Sequence, residues 1–530
     1  MKLKYRLGIT TLVVVLMIIM TAKVGLVQQS SPASAAIWAS PSLQRIGDTQ
    51  KLDLPKNIQL SAARGEYESF QIGIHSEQQN LTNVNVSVSD LVGQDNQVIP
   101  KSNFTLYREH YVPVTNSSPK EVNATNLPEP PGLYPDALIP FINPETGTDL
   151  TGSELDAVPF QLASGKTQPI WVDILVPRDA KPGDYKATYT VTSDQGKFDG
   201  EVSLKVWNFE LPLKPSMKSS FLVWESTNKN TFVELLKHKI MPGADIPPDM
   251  QRELIDKWGL NAVKLPFFTG GNVYDCRVDP APSVEDMQAA AKEVQQDVFK
   301  YVQSLDELDN CTGLDDEIRE WATNIKKAGL TNVAVLTPTP ELYSPNYFGN
   351  SPAIDIWVIL PRMYEEFPER VAEILKNGEK VWFYNTLSQE EYAPKFLMDF
   401  TPINFRIPFG FISKSLGLSG AFYWRVDLWQ GNPWKDEQKV FQNNAYYPYE
   451  GLLLYPGQQV GVNGVVPSMR LKWIRDGVED YEYIEKLASL GRVDKALEIS
   501  RSVAPNWKTW TREANVLFEG RQKLAEEIVK

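Results

Sequence analysis

The stretch FKYVQSLDELDNCTGLDDEIREWATNIKKAGLTNVAVLTP, residues 299–338, joins two strand-like runs through one amphipathic helix. FKYVQSL and NVAVLTP are short and rich in β-formers, whereas LDDEIREWATNIKKAG has apolar residues at helical spacing. Further strand-like runs are FLVWES, NAVKLPFF, IDIWVIL, KVWFYNT and GAFYWRV. Repeated strand-helix units predict a parallel sheet, and their number favours a central (β/α)8 TIM-like barrel over an open sheet.

The chain ahead of this region has a different pattern. YESFQIGIHS, NVNVSVSDL, PIWVDILVP, DYKATYTVTS and GEVSLKVWNFEL are short β-rich runs separated by turn residues, with no long helical period. This pattern predicts an antiparallel β-sandwich, and the proline-marked segment LPLKPS predicts its boundary. The predicted fold class is therefore multidomain, β followed by α/β.

The predicted organisation has four parts. MRLKWIRDGVEDYEYIEKLASLG and the segments after it have helical spacing, and Arg475 and Glu479 are spaced for an i,i+4 ion pair. The parts are a signal peptide at 1–35, the β-sandwich at 36–215, a (β/α)8-type barrel domain at 216–467 and C-terminal helices at 468–530.

The first residues, MKLKYRLGITTLVVVLMIIM, place three basic side chains ahead of an apolar run. Ala33-Ser34-Ala35 then offers the small-residue pattern of a signal-peptidase site, which predicts a secretory signal peptide. An uncleaved anchor is the alternative, because the apolar run ends far from Ala35. In both cases the body of the chain is expected outside the cytoplasm, secreted or at the cell envelope, with membrane contact only if the leader is uncleaved.

Composition narrows the chemistry that the protein can perform. With 53 basic and 66 acidic residues the formal net charge is -13, and no basic run with interleaved aromatics is present, so no nucleic-acid partner is expected. YPGQQVGVNGVV lacks the helix that follows a dinucleotide-binding loop, and no cofactor or metal is expected. Three scattered histidines lack metal-ligand or triad spacing: His75, His110 and His238. Carboxylates are left as the acid-base groups.

Only two cysteines are present, Cys276 and Cys311. Outside the cytoplasm they could form a disulfide, or they could be two separate buried thiols, and sequence alone does not decide between these. The fold must therefore rest on its core rather than on a cross-linked framework.

Asp306 and Glu307 follow the strand-like run FKYVQSL, where a barrel strand opens into its loop. Catalytic groups of such barrels lie at this end of the strands. Neighbouring residues of a regular strand face opposite sides, so both carboxylates can enter one pocket only if the backbone turns here. Alternatively, the pair only keeps an acidic loop solvated.

Tryptophan is concentrated in the same half of the chain, where nine of the 14 tryptophans lie between Trp224 and Trp473. The apolar face of a pyranose can rest on an aromatic plane while its hydroxyls bond to polar neighbours. Sugar rings are therefore a suitable substrate, although core packing accounts for many tryptophans in any barrel.

Several segments resemble glycoside hydrolase family 123 and the related domain of unknown function family 4091. The barrel of that family is similar to SLDEL, EWATNIKKAG, NVAVLTPTPELY, AIDIWVILP, VWFYNT, GAFYWRVDLW, EGLLLYPG and MRLKWIRDGVEDYEY; its sandwich is similar to ARGEYESFQI, PDALIPF and WVDILVPRDAKPGDY. Family members commonly have proline after the acidic pair, whereas this chain has Leu308.

The resemblance implies removal of terminal β-linked N-acetylgalactosamine, or a related N-acetylhexosamine, by a retaining, substrate-assisted route. Asp306 and Glu307 match the family's acidic pair. Asp306 would accept from the acetamido N–H and stabilise the oxazolinium intermediate. Glu307 would protonate the departing oxygen and then deprotonate the incoming water.

Further side chains near predicted strand ends are candidates for binding the sugar. Tyr384 is expected to bond to the acetamido oxygen, Asn385 to a ring hydroxyl, and Trp424 to form a stacking floor, with ordinary packing as the alternative for each. Weaker candidates in the same region are Asp427, Trp429 and Trp434.

Two other functions are compatible with the sequence. One is a non-catalytic glycan-binding or cell-envelope surface protein on the same scaffold, because a fold does not determine its function. The other is a glycosidase for sugars that lack an acetamido group, which needs a second carboxylate near Glu307; Asp427 is the candidate. The sequence leaves the natural glycan and the oligomeric state open.

Overall fold

The computed structural model describes residues 35–271, 274–344, 351–387 and 389–530. The predicted leader lies outside the described residues, except for Ala35. Within the described ranges, no helix combines the length and the apolar character needed to cross a bilayer.

Two packed sheets form the N-terminal region. One sheet has the order β1-β3-β10-β7-β8 and is antiparallel; the other has the order β2-β12-β11-β4-β9 and is antiparallel except between β2 and β12, with β5 and β6 at its side. The strands are β1 (Ala35–Pro41), β2 (Ile58–Arg64), β3 (Tyr67–Ser76), β4 (Leu81–Val88), β5 (Leu91–Gly93), β6 (Val98–Ile99), β7 (Phe104–Val114), β8 (Gly132–Pro140), β9 (Phe160–Leu162), β10 (Thr167–Leu175), β11 (Gly183–Ser193) and β12 (Gly196–Glu210).

Burial along the strands shows how the two sheets are layered. In β11 alternate residues are buried, as expected for a sheet with one face in water. In β10 nearly every residue is buried, because Ile170 and Val172 face the sandwich core while Trp171 packs into the core of the barrel. The first sheet is therefore the middle layer between the second sheet and the barrel.

Eight parallel strands form the barrel in the order β14-β13-β20-β19-β18-β17-β16-β15. β13 pairs with β20, so the sheet is closed except for one seam between β14 and β15. The strands are β13 (Lys218–Leu222), β14 (Pro242–Gly243), β15 (Ala262–Lys264), β16 (Phe299–Asp306), β17 (Thr331–Val335), β18 (Ile356–Ile359), β19 (Lys380–Asn385) and β20 (Gly420–Tyr423). The predicted fold class, a sandwich followed by a barrel and C-terminal helices, is confirmed.

Helices connect the barrel strands and complete the C-terminal region. The helices are α1 (Lys229–Lys237), α2 (Pro248–Trp258), α3 (Val284–Lys292), α4 (Asp315–Lys327), α5 (Pro340–Tyr343), α6 (Pro361–Glu366), α7 (Pro368–Asn377), α8 (Ile403–Arg406), α9 (Ser413–Leu416), α10 (Met469–Ser489), α11 (Val493–Val503) and α12 (Ala514–Ile528). Between β20 and α10 lie two antiparallel ribbons: β21 (Lys439–Gln442) with β22 (Ala445–Pro448), and β23 (Leu454–Pro456) with β24 (Val465–Pro467).

Helix α4 shows why the connecting segments are helical. Its first turn carries three acidic residues and its last turn two lysines, which complements the helix dipole. Ile318, Trp321, Ala322 and Ile325 are buried at i, i+3, i+4 and i+7, so one face packs on the barrel.

Helix α10 is the centre of the molecule, buried on nearly all sides between the sandwich and the barrel. Ser468 caps its first turn by accepting from the Leu471 N–H at 3.2 Å. Such a helix can carry charged residues only if each is paired. Arg470 donates two hydrogen bonds of 2.9 Å to Asp136 of β8, and both side chains are completely buried.

A second buried group joins α10 to β10. The Asp173 carboxylate accepts from Lys472 Nζ at 2.8 Å and from Arg475 at 3.0 and 3.2 Å. Burial alone would raise the pKa of Asp173, but Arg475 and Lys472 hold it well below its usual range. The predicted i,i+4 pair was wrong: Arg475 bonds to Asp173 and Asp476, while Glu479 accepts from the Tyr67 N–H at 3.1 Å.

We predict that Asp173→Asn lowers the free energy of unfolding by about 3–5 kcal/mol, because it leaves Lys472 buried without a counter-ion and Arg475 with Asp476 alone. Urea unfolding at neutral pH measures the change. Glu201→Gln removes one partner of an exposed pair with Lys186 and should leave the unfolding midpoint almost unchanged. Equal midpoints for Asp173→Asn and the unmodified protein would contradict this account of α10.

Candidate active site

Asp306 and Glu307 lie at the carboxyl-terminal mouth of the barrel, where β16 ends. Asp306 is the last residue of the strand, and the Glu307 N–H still donates to Val335 O of β17 at 2.8 Å. Glu307 then adopts φ +55°, in the left-handed region that L-residues rarely occupy. The backbone therefore turns between the two carboxylates, which is the condition under which adjacent residues can serve one pocket.

The loop after the pair is anchored at three points. Leu308, which directly follows the acidic pair, is buried in the barrel core at 3% exposure. Asp309 Oδ1 accepts from the Thr337 N–H of the next loop at 2.8 Å. Cys311 forms a disulfide with Cys276 of the loop after β15, with 5.4 Å between Cα atoms. These contacts hold the strained turn at Glu307 without a proline.

Tyr384 reaches the acidic pair from β19. The Tyr384 hydroxyl donates to Glu307 Oε1 at 2.7 Å, and the side chain is buried at 3% exposure. Burial and then the charge of Glu307 raise the pKa of Tyr384 well above its ordinary value, so it remains a neutral donor. The structure thus brings three predicted site residues together: Asp306, Glu307 and Tyr384.

Lys264, the last residue of β15, is a member of this site that the sequence analysis did not select. Burial and then Glu307 raise the pKa of Asp306 to about 6, and Lys264 opposes them. Burial lowers the pKa of Lys264, while Asp245 and Asp306 raise it. Its position at the end of a predicted barrel strand was the signal that could have identified it.

Trp424 follows β20, and its indole N–H bonds to Glu450, a second residue that was not predicted from the sequence. The Trp424 indole N–H donates to Glu450 Oε1 at 2.6 Å, and Gly451 lies so close that an added Cβ would meet the ring at 2.7 Å. Burial raises the pKa of Glu450 to about 8, although Trp424 and Arg470 lower it. Glu450 is the first residue of EGLLLYPG, the motif that could have directed attention to it.

Asn385 and Asp427 are occupied by contacts within the loops. Asn385 donates to Pro394 O at 2.8 Å and accepts from the Phe396 N–H at 3.3 Å. The Asp427 carboxylate is fully buried and accepts from consecutive backbone N–H groups of the β13 loop, among them that of Glu225 at 2.7 Å. The structure does not bring these two side chains to the acidic pair through any contact in the described ranges.

Trp429 and Trp434 are held by backbone carbonyls of the β23 region. The Trp429 indole donates to Leu454 O at 2.8 Å, and the Trp434 indole donates to Pro456 O at 3.0 Å. Trp434 has 1% exposure and lies in the sandwich core, with its ring 5.5 Å from that of His110. A ring so buried leaves no face for a sugar in this structure.

The acidic pair identifies this site, because the two cavities described below lie elsewhere. A cavity of about 320 Å³ is lined by residues that include Glu482 and Lys486, and one of about 200 Å³ by residues that include Arg45 and Arg512. Neither of these cavities includes Asp306 or Glu307. The acidic pair lies instead at the open end of the barrel, the end used for catalysis in this fold.

Comparison with known proteins defines the class. The N-terminal domain model of glycoside hydrolase 123 matches residues 44–193, and the catalytic domain model of glycoside hydrolase 123 matches residues 293–487. Both models describe domains of a glycoside hydrolase, so the protein is a glycoside hydrolase. The chain belongs to glycoside hydrolase family 123, which confirms the resemblance seen in the sequence.

A solved structure of the same family has the same fold. The chain is similar to a family 123 glycoside hydrolase from Clostridium perfringens studied for glycolipid glycan hydrolysis, with a TM-score of 0.64, 12% identity, and coverage of 93% of this chain and 98% of that one. A β-glucuronidase from Parabacteroides merdae has a TM-score of 0.27, 10% identity, and coverage of 85% and 52%, too low a similarity to use. Among curated proteins, no sequence matches this chain.

We predict that Asp306→Asn stabilises the protein by roughly 2–3 kcal/mol near pH 7.5. The folded-state pKa of about 6 lies above the unfolded value near 3.9. The carboxyl therefore contributes stability below about pH 4 that is lost as the pH rises through about 6, and asparagine does not titrate.

Urea unfolding of both forms between about pH 4 and pH 7.5 measures this gain, which should vanish toward pH 4. Asp316→Asn is the control, because that side chain is 95% exposed. A gain that is independent of pH would contradict the assigned burial of Asp306.

Proposed function

We propose that this glycoside hydrolase is exported and removes terminal β-linked N-acetylgalactosamine, or a related N-acetylhexosamine, with retention at the anomeric carbon. The observation that carries the proposal is the backbone turn at Glu307, which presents adjacent carboxylates to one barrel mouth. The description of the Clostridium perfringens relative as a hydrolase of glycolipid glycans supports a glycan substrate.

In the first step the acetamido oxygen of the sugar attacks its own anomeric carbon. The bond from that carbon to the leaving oxygen breaks, and the leaving oxygen takes the proton of Glu307. Asp306 accepts a hydrogen bond from the acetamido N–H and offsets the positive charge of the oxazolinium. The sugar thereby supplies the nucleophile that a protein carboxylate supplies in other retaining glycosidases.

In the second step water attacks the anomeric carbon from the face that the leaving group vacated. The Glu307 carboxylate takes the proton of that water, and the bond between carbon and acetamido oxygen breaks. Two successive inversions give retention. No second protein nucleophile is required, which fits the occupation of the Asp427 carboxylate by backbone N–H groups.

Lys264 and Tyr384 prepare the two carboxylates for these roles. Asp306 must be ionised to accept from the acetamido group, and Lys264 favours that ionised form. The Tyr384 hydroxyl holds Glu307 at 2.7 Å and fixes the direction of proton delivery. When Glu307 carries its proton, the same hydroxyl is free to turn toward the acetamido oxygen.

Trp424 is the proposed stacking floor for the sugar ring. It is only partly buried, and Glu450 and Gly451 fix its orientation. A rigid aromatic plane at the barrel mouth supplies apolar contact without ordering a flexible side chain.

Export is proposed from the leader pattern of residues 1–35. The disulfide between Cys276 and Cys311 supports it, because such bonds persist in oxidising compartments.

We predict that Glu307→Gln lowers kcat/KM for aryl β-N-acetylgalactosaminide by roughly 10²- to 10⁴-fold, since no proton donor remains. Asp306→Ala should cost roughly 10²- to 10³-fold, because the oxazolinium loses its counter-charge. Hydrolysis is followed by release of the aryl group, with β-N-acetylglucosaminide as the comparison substrate.

Asp316→Asn, which removes an exposed carboxylate of α4, is the matched control and should retain full activity. Glycan binding without turnover by the unmodified protein would contradict the proposal and favour a glycan-binding protein on the same scaffold. Normal turnover by Asp306→Ala would contradict the substrate-assisted route.

The pH profile supplies a separate prediction. Asp306 must be ionised in the free enzyme, and its pKa is about 6. Therefore kcat/KM should fall about tenfold for each pH unit below about 6. Because Asp306 and Glu307 interact, the apparent pKa of this decline describes the pair rather than one residue. An acid limb near pH 4 would show that the carboxylate that accepts the hydrogen bond from the acetamido N–H is not this buried one.

A further inference from the structure

Exposed aromatic side chains are concentrated in loops that follow the barrel strands. Among the described residues they are Trp224 at 60% exposure, Phe268 at 43%, Tyr274 at 85%, Phe441 at 59% and Tyr446 at 37%. Trp224, Phe268 and Tyr274 lie in the loops after β13 and β15, on the side of the barrel where the acidic pair lies, and Phe441 and Tyr446 lie on the β21–β22 ribbon. A single exposed ring on a soluble surface needs no explanation by itself, so its surroundings decide whether it is a candidate for ligand contact.

Trp224 differs from the other four because its loop is fixed by a buried carboxylate. The backbone N–H groups of Trp224, Glu225 and Ser226 donate to Asp427 Oδ2 at 3.1, 2.7 and 3.0 Å. Asp427 itself has no exposure to solvent. The exposed indole is therefore carried on a rigid backbone, and no ordering of the loop is needed when a ligand binds.

The surroundings of the indole are polar. Arg425 lies over the Trp224 ring, with the guanidinium carbon 5.2 Å from the ring centroid. Arg425 also pairs with Glu225 at 2.5 Å. An apolar plane on the loop after β13 thus stands next to an anionic acceptor of the same loop, Glu225, and a cationic donor from the loop after β20, Arg425.

We propose that Trp224 forms a subsite for the sugar ring on the leaving-group side of the scissile bond. The inference rests on the proposed function. Around the ring, β14 and β15 separate β13 from β16, and the loops after these parallel strands open at one mouth, so the loop of Trp224 and the acidic pair share that mouth without being adjacent. The cleaved sugar then lies against Asp306 and Glu307, and the next sugar lies on the indole.

The groups around Trp224 favour a sugar as the ligand of this subsite. A pyranose has an apolar face of C–H groups for the indole and a rim of hydroxyls for Arg425 and Glu225. A lipid surface would need to strip water from both charged groups without replacing their hydrogen bonds. Trp224 is therefore a specificity-determining residue, which favours substrates that continue as an oligosaccharide after the cleaved unit.

The test compares one ligand that reaches Trp224 with one that does not. The first is a disaccharide of N-acetylgalactosamine β-linked to galactose, and the second is a thiazoline analogue of the oxazoline, which fills only the site of the cleaved sugar. Trp224→Ala should raise KM for the disaccharide by roughly three- to tenfold with kcat little changed, and leave inhibition by the thiazoline unaltered. Trp224→Phe should restore most of the loss.

Phe441→Ala is the matched control, because Phe441 has almost the same exposure and lies on the ribbon that contacts the sandwich through Lys439 and Asn116. Phe441→Ala should change neither KM for the disaccharide nor inhibition by the thiazoline. Unchanged disaccharide kinetics in Trp224→Ala would overturn the subsite. An equal loss of thiazoline inhibition would also overturn it, since Trp224 would then support the cleaved-sugar site.

Failure of the proposed function is visible separately, as absence of disaccharide hydrolysis by the unmodified protein. In that case the disaccharide is titrated calorimetrically into the unmodified protein and into Trp224→Ala. Weaker binding to the variant supports the subsite, whereas equal or absent binding overturns it.

Discussion

The buried contact of Asp173 with Lys472 and Arg475 connects the two halves of the molecule. Asp173 belongs to the middle sheet of the sandwich, and the two cations belong to α10 after the barrel. Removing one partner would leave buried charge uncompensated, so the sandwich and the barrel depend on each other for stability. Arg470 and Asp136 repeat the arrangement nearby. The sandwich is thus a structural part of the barrel rather than a separable module.

Against this rigid frame, the turn that carries the acidic pair is strained. Glu307 has a left-handed backbone conformation, and its loop is held by Leu308, by Asp309 and by the disulfide of Cys311. Such strain persists only where the surroundings impose it. Here it places two adjacent carboxylates at one barrel mouth, which is the arrangement that the proposed acetamido-assisted chemistry needs. The contacts around the loop therefore offset the unfavourable backbone conformation of Glu307.

The sequence predicted most of the fold and part of the site, for identifiable reasons. Strand-helix spacing in residues 299–338 predicted the barrel, because burial of one helix face leaves a periodic signal. Trp434 was selected for its residue type, yet whether a ring in an irregular loop points inward depends on packing that no spacing encodes. Glu450 was missed because its contact with Trp424 joins loop residues 26 positions apart. The predicted ion pair of Arg475 with Glu479 was wrong because Arg475 bonds instead to Asp173 of the sandwich, a contact that helical spacing does not reveal.

The disulfide between Cys276 and Cys311 has a consequence for how the protein is produced. It closes a loop beside the catalytic turn, whereas the buried charges of α10 that unite the molecule contain no thiol. Material made in a reducing host would therefore fold to the same architecture yet lack one anchor of the reactive loop. The effect of the missing disulfide is therefore expected in the rate of turnover rather than in the overall fold.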